Sequence, residues 1–300
     1  MKQIIKPLGF LVILILLCSV VSRLLTGGET LEEYANNNPE MAYATPDAEE
    51  IPSADAIASP SASTSPSPTP SPTPVATSAP EDPKSCFYYE PLSEDVITRI
   101  TGISYPVTET QATDTAVPAV NIVATDEKIA ISYDDLRYLS VLYYDFNGEV
   151  QNGELICNKG IAQDLLEIFY ELYLNEYQIE KIKLIDEYNG DDTASMSDNN
   201  TSCFNYRVVD GTSNLSKHAL GCAIDVNPFY NPYVVINKDG SGQTYISPEG
   251  SEIYADRTED FPYKIDENDL CYKLFKEHGF TWGGDWNSCK DYQHFQKVVN

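Results

Sequence analysis

The sequence predicts an α+β domain, a small antiparallel sheet with flanking helices, and three stretches carry that expectation. "YLSVLYYDF" (138–146) is dense in aromatic and branched strand formers, and "FNGEV" (146–150) continues it with an Asn-Gly pair. That pair is a hairpin signal, because both residues accept the left-handed backbone of a tight turn. Next, "IAQDLLEIFYELYLN" sets Ile161, Leu165, Ile168 and Leu172 on one face of a helix. Near the end, "DENDLCYKLFKEHGF" reads as a second helix, with Asp266 as N-cap and Leu270, Cys271, Leu274 and Phe275 as its apolar face. Gly279 stands at the stop position, and His278 sits in the last turn, where a basic group suits the helix dipole. Between the helices, "IEKIKLI" (179–185) and "NYRVV" (205–209) read as strands, separated by the polar loop "DEYNGDDTASMSDNNTS".

The first 84 residues are of another kind. Lys2 and Lys6 precede the apolar run "LGFLVILILLCSVVS", and Arg23 follows it. The uncharged stretch from Pro7 to Ser22 falls just short of the ~17–25 residues of a spanning helix. Leu24 and Leu25, with a snorkelling Arg23 between, extend it to a short span. The lysines favour a cytoplasmic N-terminus, and no A-x-A site follows the run. Residues 1–28 are therefore expected to be an uncleaved membrane anchor, with a cleaved signal segment as the alternative. Cys18 invites a lipoprotein reading, but Leu17 stands where such sites want a small residue. In every version the rest of the chain is exported. The expected placement is a single-pass cell-membrane protein with its domain outside the cell. Residues 29–84, acidic and then "SPSASTSPSPTPSPTPVATSAP", are a linker that cannot build a core and whose prolines favour an extended stalk. The folded domain is expected over 85–300, its core over about 160–300.

The formal net charge is -27, from 19 basic and 46 acidic residues. Such a chain is a poor match for nucleic acid or for a polybasic hold on anionic lipid. The expected membrane contact is thus the N-terminal segment alone, and the domain is expected to be monomeric. Outside the apolar run lie Cys86, Cys157, Cys203, Cys222, Cys271 and Cys289. In an exported domain these permit three disulfides, in any of fifteen connectivities, or free buried thiols. No pair has C-x-x-C spacing, which speaks against a cysteine-built zinc site. The 21 tyrosines are too scattered to mark a glycan-binding surface.

The chemistry gathers in two short stretches, "HALGCAIDVN" (218–227) and "DYQHFQ" (291–296). In the first, Gly221 permits a turn and "CAIDV" has strand character. Alternation puts Ala223, Asp225 and Asn227 on one face, with Cys222, Ile224 and Val226 packed behind. His218, across the bend, can swing to that face. In the second, the i, i+3 spacing of Asp291 and His294 brings both side chains to one side of a turn. Catalytic zinc wants three protein ligands and one open position, and two histidines with a carboxylate supply them. His218, Asp225 and His294 make that metal set, for one Zn2+ per domain. Asp291 is left as the general base for a water that the metal acidifies.

The surrounding words, "SKHALGCAIDVNPFYNPY" with "GFTWGGDW" and "DYQHF", resemble the D-alanyl-D-alanine carboxypeptidase family of zinc peptidases, the VanY-like group. That group shares its fold with L-alanyl-D-glutamate endopeptidases and with the hedgehog signalling domain. The family pattern, S-x-H-x(6)-D and later an acid-x-x-H, falls on Ser216, His218, Asp225, Asp291 and His294. The resemblance runs from about residue 160 to the end and implies a hydrolase of peptidoglycan stem peptides, first a carboxypeptidase removing D-alanine. It also implies that Arg207 offsets the negative charge of the transition state and that Ser216 binds substrate. The alternatives are a strand arginine paired with an acid, and a serine that caps the turn before His218. The base is glutamate in some relatives and the shorter Asp291 here.

Trp282 and Trp286, around "GGD", are expected as buried rings or as a groove wall, and Asp285 is a candidate hydrogen-bond partner for a histidine, with no such role as the alternative. Three other functions stay open from sequence. One is an L-alanyl-D-glutamate or cross-bridge endopeptidase. The second is a non-catalytic, zinc-containing wall-binding module, which has no need of Asp291. The third is a stalked surface-interaction protein without metal.

Overall fold

The longest ladder in the chain is a hairpin, and the rest of the fold is built against it. The computed structural model describes residues 82–112, 119–126, 128–209, 212–236 and 243–299, so the expected anchor and nearly all of the linker lie outside the described residues. In chain order the first half contains β1 (Tyr88–Pro91), α1 (Glu94–Ile100), β2 (Val107–Thr108), α2 (Glu109–Ala112) and β3 (Ile122–Val123). It continues with β4 (Leu136–Tyr144), β5 (Val150–Asn158), α3 (Ala162–Leu174), β6 (Lys181–Ile182), α4 (Asp192–Ser197) and β7 (Asn200–Thr201). The second half contains β8 (Ala223–Asp225), β9 (Tyr233–Ile236), β10 (Thr244–Ser247), α5 (Leu270–Glu277), β11 (Thr281–Trp282), β12 (Lys290–Asp291) and β13 (His294–Gln296). The class is α+β as expected. The antiparallel part is divided among three small sheets, with β2–β3 and β6–β7 as short parallel pairs.

β4 and β5 pair from Leu136↔Asn158 to Tyr144↔Val150, and β1 adds to the outer edge of β4. The Asn-Gly signal marks the turn: Gly148 has φ +76°, and Oδ1 of Asp145 accepts from the backbone N–H groups of Asn147 and Glu149. Helix α3 lays Leu165, Ile168, Phe169 and Leu172 against Leu139, Val141 and Leu155 of the hairpin, all fully buried. Each such side chain contributes about 1.5–3 kcal/mol on burial, which fixes the hairpin as a platform.

Four local expectations change. Of 179–185 only Lys181 and Ile182 form a strand, because the side-chain amide of Asn200 takes over the next position. Its Oδ1 accepts from Lys183 N at 2.8 Å and its Nδ2 donates to the Lys183 carbonyl at 3.1 Å. The stretch 205–209 is extended but unladdered apart from a bridge between Val208 and Leu215. Its donors go elsewhere, Asn205 N to the His218 carbonyl and Tyr206 N to the Ser104 carbonyl. The polar loop contains α4, capped by Asp191 through Ala194 N at 3.0 Å. Lastly, α5 is capped by Asp269, whose Oδ2 accepts from Cys271 N and Tyr272 N, whereas Asp266 closes the preceding turn onto Asn268 N. The helix still stops at Gly279, φ +82°, and His278 Nδ1 lies 3.4 Å from Asp164, a structural contact. The six cysteines from Cys86 to Cys289 are free thiols, all but Cys86 buried.

Candidate metal centre

Strand β13 lies between β8 and β11, and its register with β8 builds the site. His294 pairs with Asp225 and Gln296 with Ala223, so four side chains share one face of the ladder. On the other face Ile224 and Phe295 are fully buried, with Phe295 stacked on Phe275 of α5 at 4.3 Å. The expected alternation therefore holds through Asp225. It fails at Asn227, where the strand has ended: the residue has φ +45°, and its amide binds Glu180 N and the Gln178 carbonyl.

His218 arrives on a single 3-10 turn, His218–Leu220, docked on the end of β5. Gly221 ends that turn at φ +64°, and a Cβ there would stand 2.6 Å from Asn158 N. Only glycine allows both the conformation and the approach. The dock is closed by Asn158 N donating to the Gly221 carbonyl at 2.8 Å and Asn158 Nδ2 donating to the Leu220 carbonyl at 3.1 Å.

His218, Asp225 and His294 are 3, 5 and 7 % exposed, and one ligand atom from each lies within 4.8 Å of the others. His294 Nδ1 is 3.0 Å from Asp225 Oδ1, and His218 Nε2 is 3.3 Å from Asp225 Oδ2. The two inward ring nitrogens are 3.2 Å apart. Each ring's outward nitrogen has its own acceptor. His218 Nδ1 meets the Cys203 carbonyl at 2.6 Å, and His294 Nε2 meets Oε1 of Gln296 at 3.1 Å. A carbonyl oxygen only accepts, so the outward nitrogens carry the hydrogens and two ring lone pairs face a carboxylate. Three acceptors aimed at one point repel unless a cation joins them. Two imidazoles and a carboxylate, each ring oriented by an outer partner, fit zinc with a position left for substrate.

The protonation pattern says the same. Burial would raise the Asp225 carboxyl, but His218 and His294 outweigh it and hold the group below the usual carboxylate range. Burial lowers His294, yet the hydrogen bond and charge of Asp225 reverse this and bring it to about 9. Without metal, one proton on His294 holds the cluster together.

Asp291 is not on a helical turn beside His294. It ends β12, opposite Tyr233 of β9 in a different sheet, and Tyr292 and Gln293 carry the chain across to β13. The "WGGDW" run makes room for this crossing. A Cβ on Gly283 would collide with the Asp291 carbonyl, and one on Gly284 with the Trp282 ring. Trp282 Nε1 donates to the Tyr292 carbonyl at 2.9 Å, and Trp286 lies 5.2 Å from the His294 ring. Both tryptophans are buried. Burial raises Asp291 well above the carboxylate range, an effect that His294 opposes and Asp225 reinforces.

Asp285 does not contact a histidine. It is 43 % exposed and pairs with Lys276 at 2.9 Å, while Cys203 and Gln296 hold the histidines. Gln296 was legible in principle, two residues beyond His294 on a strand. The Cys203 carbonyl was not, because a backbone atom has no residue type to read. Ser216 is buried, with its Oγ accepting from His218 N at 3.2 Å. Arg207 pairs with Asp192 of α4 at 2.7 Å, and its carbonyl accepts from Ser216 N at 3.0 Å, which places its backbone beside the His218 turn.

Residues 210–297 match the family model described as D-alanyl-D-alanine carboxypeptidase, a span holding every motif residue except Arg207. No curated protein and no solved structure matches the chain.

Proposed function

We propose, for a chain whose residues 210–297 match the D-alanyl-D-alanine carboxypeptidase family model, that it is a metallopeptidase that trims the terminal D-alanine from peptidoglycan stem peptides. The observation that carries this reading is the convergence of three buried acceptors with both imidazoles locked lone-pair inward. A zinc ion in that donor set supplies Lewis acidity for the scissile carbonyl and the attacking water. His218, Asp225 and His294 would hold it, and the Cys203 carbonyl and Gln296 keep the two rings from turning away. Trp286 covers the flank of His294 and keeps bulk water from it.

Asp291 is the base. It takes a proton from the attacking water and returns it to the leaving nitrogen. Arg207 pairs with Asp192, as the alternative reading of this arginine expects, and a role opposing charge on the tetrahedral oxygen is assigned to it on resemblance alone. Ser216 supports this geometry by capping the turn, and the substrate role implied by the family is assigned to it on resemblance alone. A wall-binding module without catalysis has no use for a buried carboxylate here, which favours the enzyme. Residues 1–28 as anchor and 29–84 as stalk complete the proposal, with a monomeric domain of 85–300 working outside the membrane.

Mass spectrometry of a stem pentapeptide ending in D-Ala-D-Ala, digested by the zinc-loaded protein, tests the bond. The expected products are the tetrapeptide and free D-alanine. A cut between L-alanine and D-glutamate would replace this reading with the endopeptidase.

A further inference from the structure

Two oxygens at the bend between β12 and β13 are buried without a hydrogen-bond partner among the described residues, Oδ1 of Asp291 and Oε1 of Gln293. Buried polar groups are nearly always paired, so two adjacent exceptions at a candidate site point to an absent donor. Gln293 is 2 % exposed and firmly placed. Its carbonyl accepts from Val226 N at 3.0 Å, and its Nε2 lies 3.5 Å from Sδ of Met196 on α4. Its side chain lies near enough to the Asp291 carboxylate to favour the charged form of that group. With Nε2 directed at Met196 Sδ, Oε1 is the amide atom left without a partner among the described residues.

We propose that Gln293 is a substrate-binding residue whose Oε1 accepts an N–H of the nitrogen that departs when the terminal peptide bond is cut. The inference rests on the peptidase reading above. In that hydrolysis a C–O bond from water forms at the scissile carbon and the C–N bond breaks. One water proton passes through Asp291 to the nitrogen, which leaves as an amine carrying that proton and its original hydrogen. Asp291 must therefore come within hydrogen-bond reach of the nitrogen, and Gln293 lies near Asp291. An amine with two N–H groups can satisfy both orphan oxygens at once. An alcohol, with one O–H, can satisfy only one.

That difference gives the test. The wild-type protein and Gln293→Met are compared on a stem peptide and on its counterpart in which oxygen replaces the scissile N–H. Loss of one hydrogen bond to the leaving group should lower kcat/KM of the variant about tenfold on the amide and less than about twofold on the ester. An equal loss on both substrates would overturn the assignment. Should that variant fail to fold, Gln293→Asn, which keeps the amide but draws it back, is compared on the same two substrates and should show the same amide-selective loss. Equal loss on both substrates would again overturn it. No turnover of either substrate by the zinc-loaded wild type would overturn the peptidase reading, and this inference with it.

Discussion

The β8–β13 ladder and the bend at Asp291–Gln293 adjoin each other, yet they treat buried polar atoms in opposite ways. On the ladder, the outward nitrogens of both histidines are paired, and the inward atoms share one focus. At the bend, two buried oxygens have no hydrogen-bond partner among the described residues. The first region is finished as a holder for a cation. The second is left short of a donor, and nothing in its packing corrects the shortage. A protein bears such a deficit where a ligand is to relieve it, so the ladder is read as the metal grip and the bend as the place of proton traffic.

Changes at the bend should leave the grip intact, and the largest is Asp291→Asn. Zinc content should stay full while kcat falls about 10²–10⁴-fold, because an amide cannot take the proton. Lost zinc would merge the two regions by making Asp291 a ligand. Gly283→Ala should act at the same place by force, since the new Cβ meets the Asp291 carbonyl. A shift of the base costs on the order of 10²-fold in kcat, again with zinc retained. The reverse experiment is Gln296→Leu, which frees the outer nitrogen of His294. It should weaken zinc about 10–100-fold in a competition titration with a chelator and leave the base alone.

The smallest effect is in pH. Zinc must displace the proton that His294 holds up to about 9 in the metal-free state, so apparent affinity should rise about tenfold per pH unit from 7 toward 9 and then flatten. Stability of the metal-free protein should move the other way. The contribution of His294 is complete below its ordinary value of 6.5 and is lost as pH rises through about 9. The melting temperature should therefore fall with pH over that window without zinc and stay nearly flat with it.

Legibility in the sequence follows the same division. The ladder could be read because His218, Asp225 and His294 are rare or telling residue types at a spacing zinc requires, and because "CAIDV" alternates as a strand must. Hairpin and helices were legible for the same reason, periodicity written in side chains. The bend was not legible as geometry. Asp291 and His294 at i, i+3 suggest one turn, whereas the chain changes sheets between them, a crossing made possible by Gly283 and Gly284 eight and seven residues upstream. The strand expected at 205–209 was lost to contacts with Ser104 and His218, distant in sequence. The partner of Asp285 was not legible, because acidity signals a partner but not its direction.

The central claim is that three side chains make one metal grip and the neighbouring carboxylate is not part of it. Metal analysis of the purified full-length protein and of His218→Ala, Asp225→Ala, His294→Ala and Asp291→Asn, each with its folding checked by circular dichroism, tests it most directly. The expected result is one zinc per chain in the wild type and in Asp291→Asn, and little or none in the other three. A full zinc complement in any of those three, or a wild type that binds none, would contradict it.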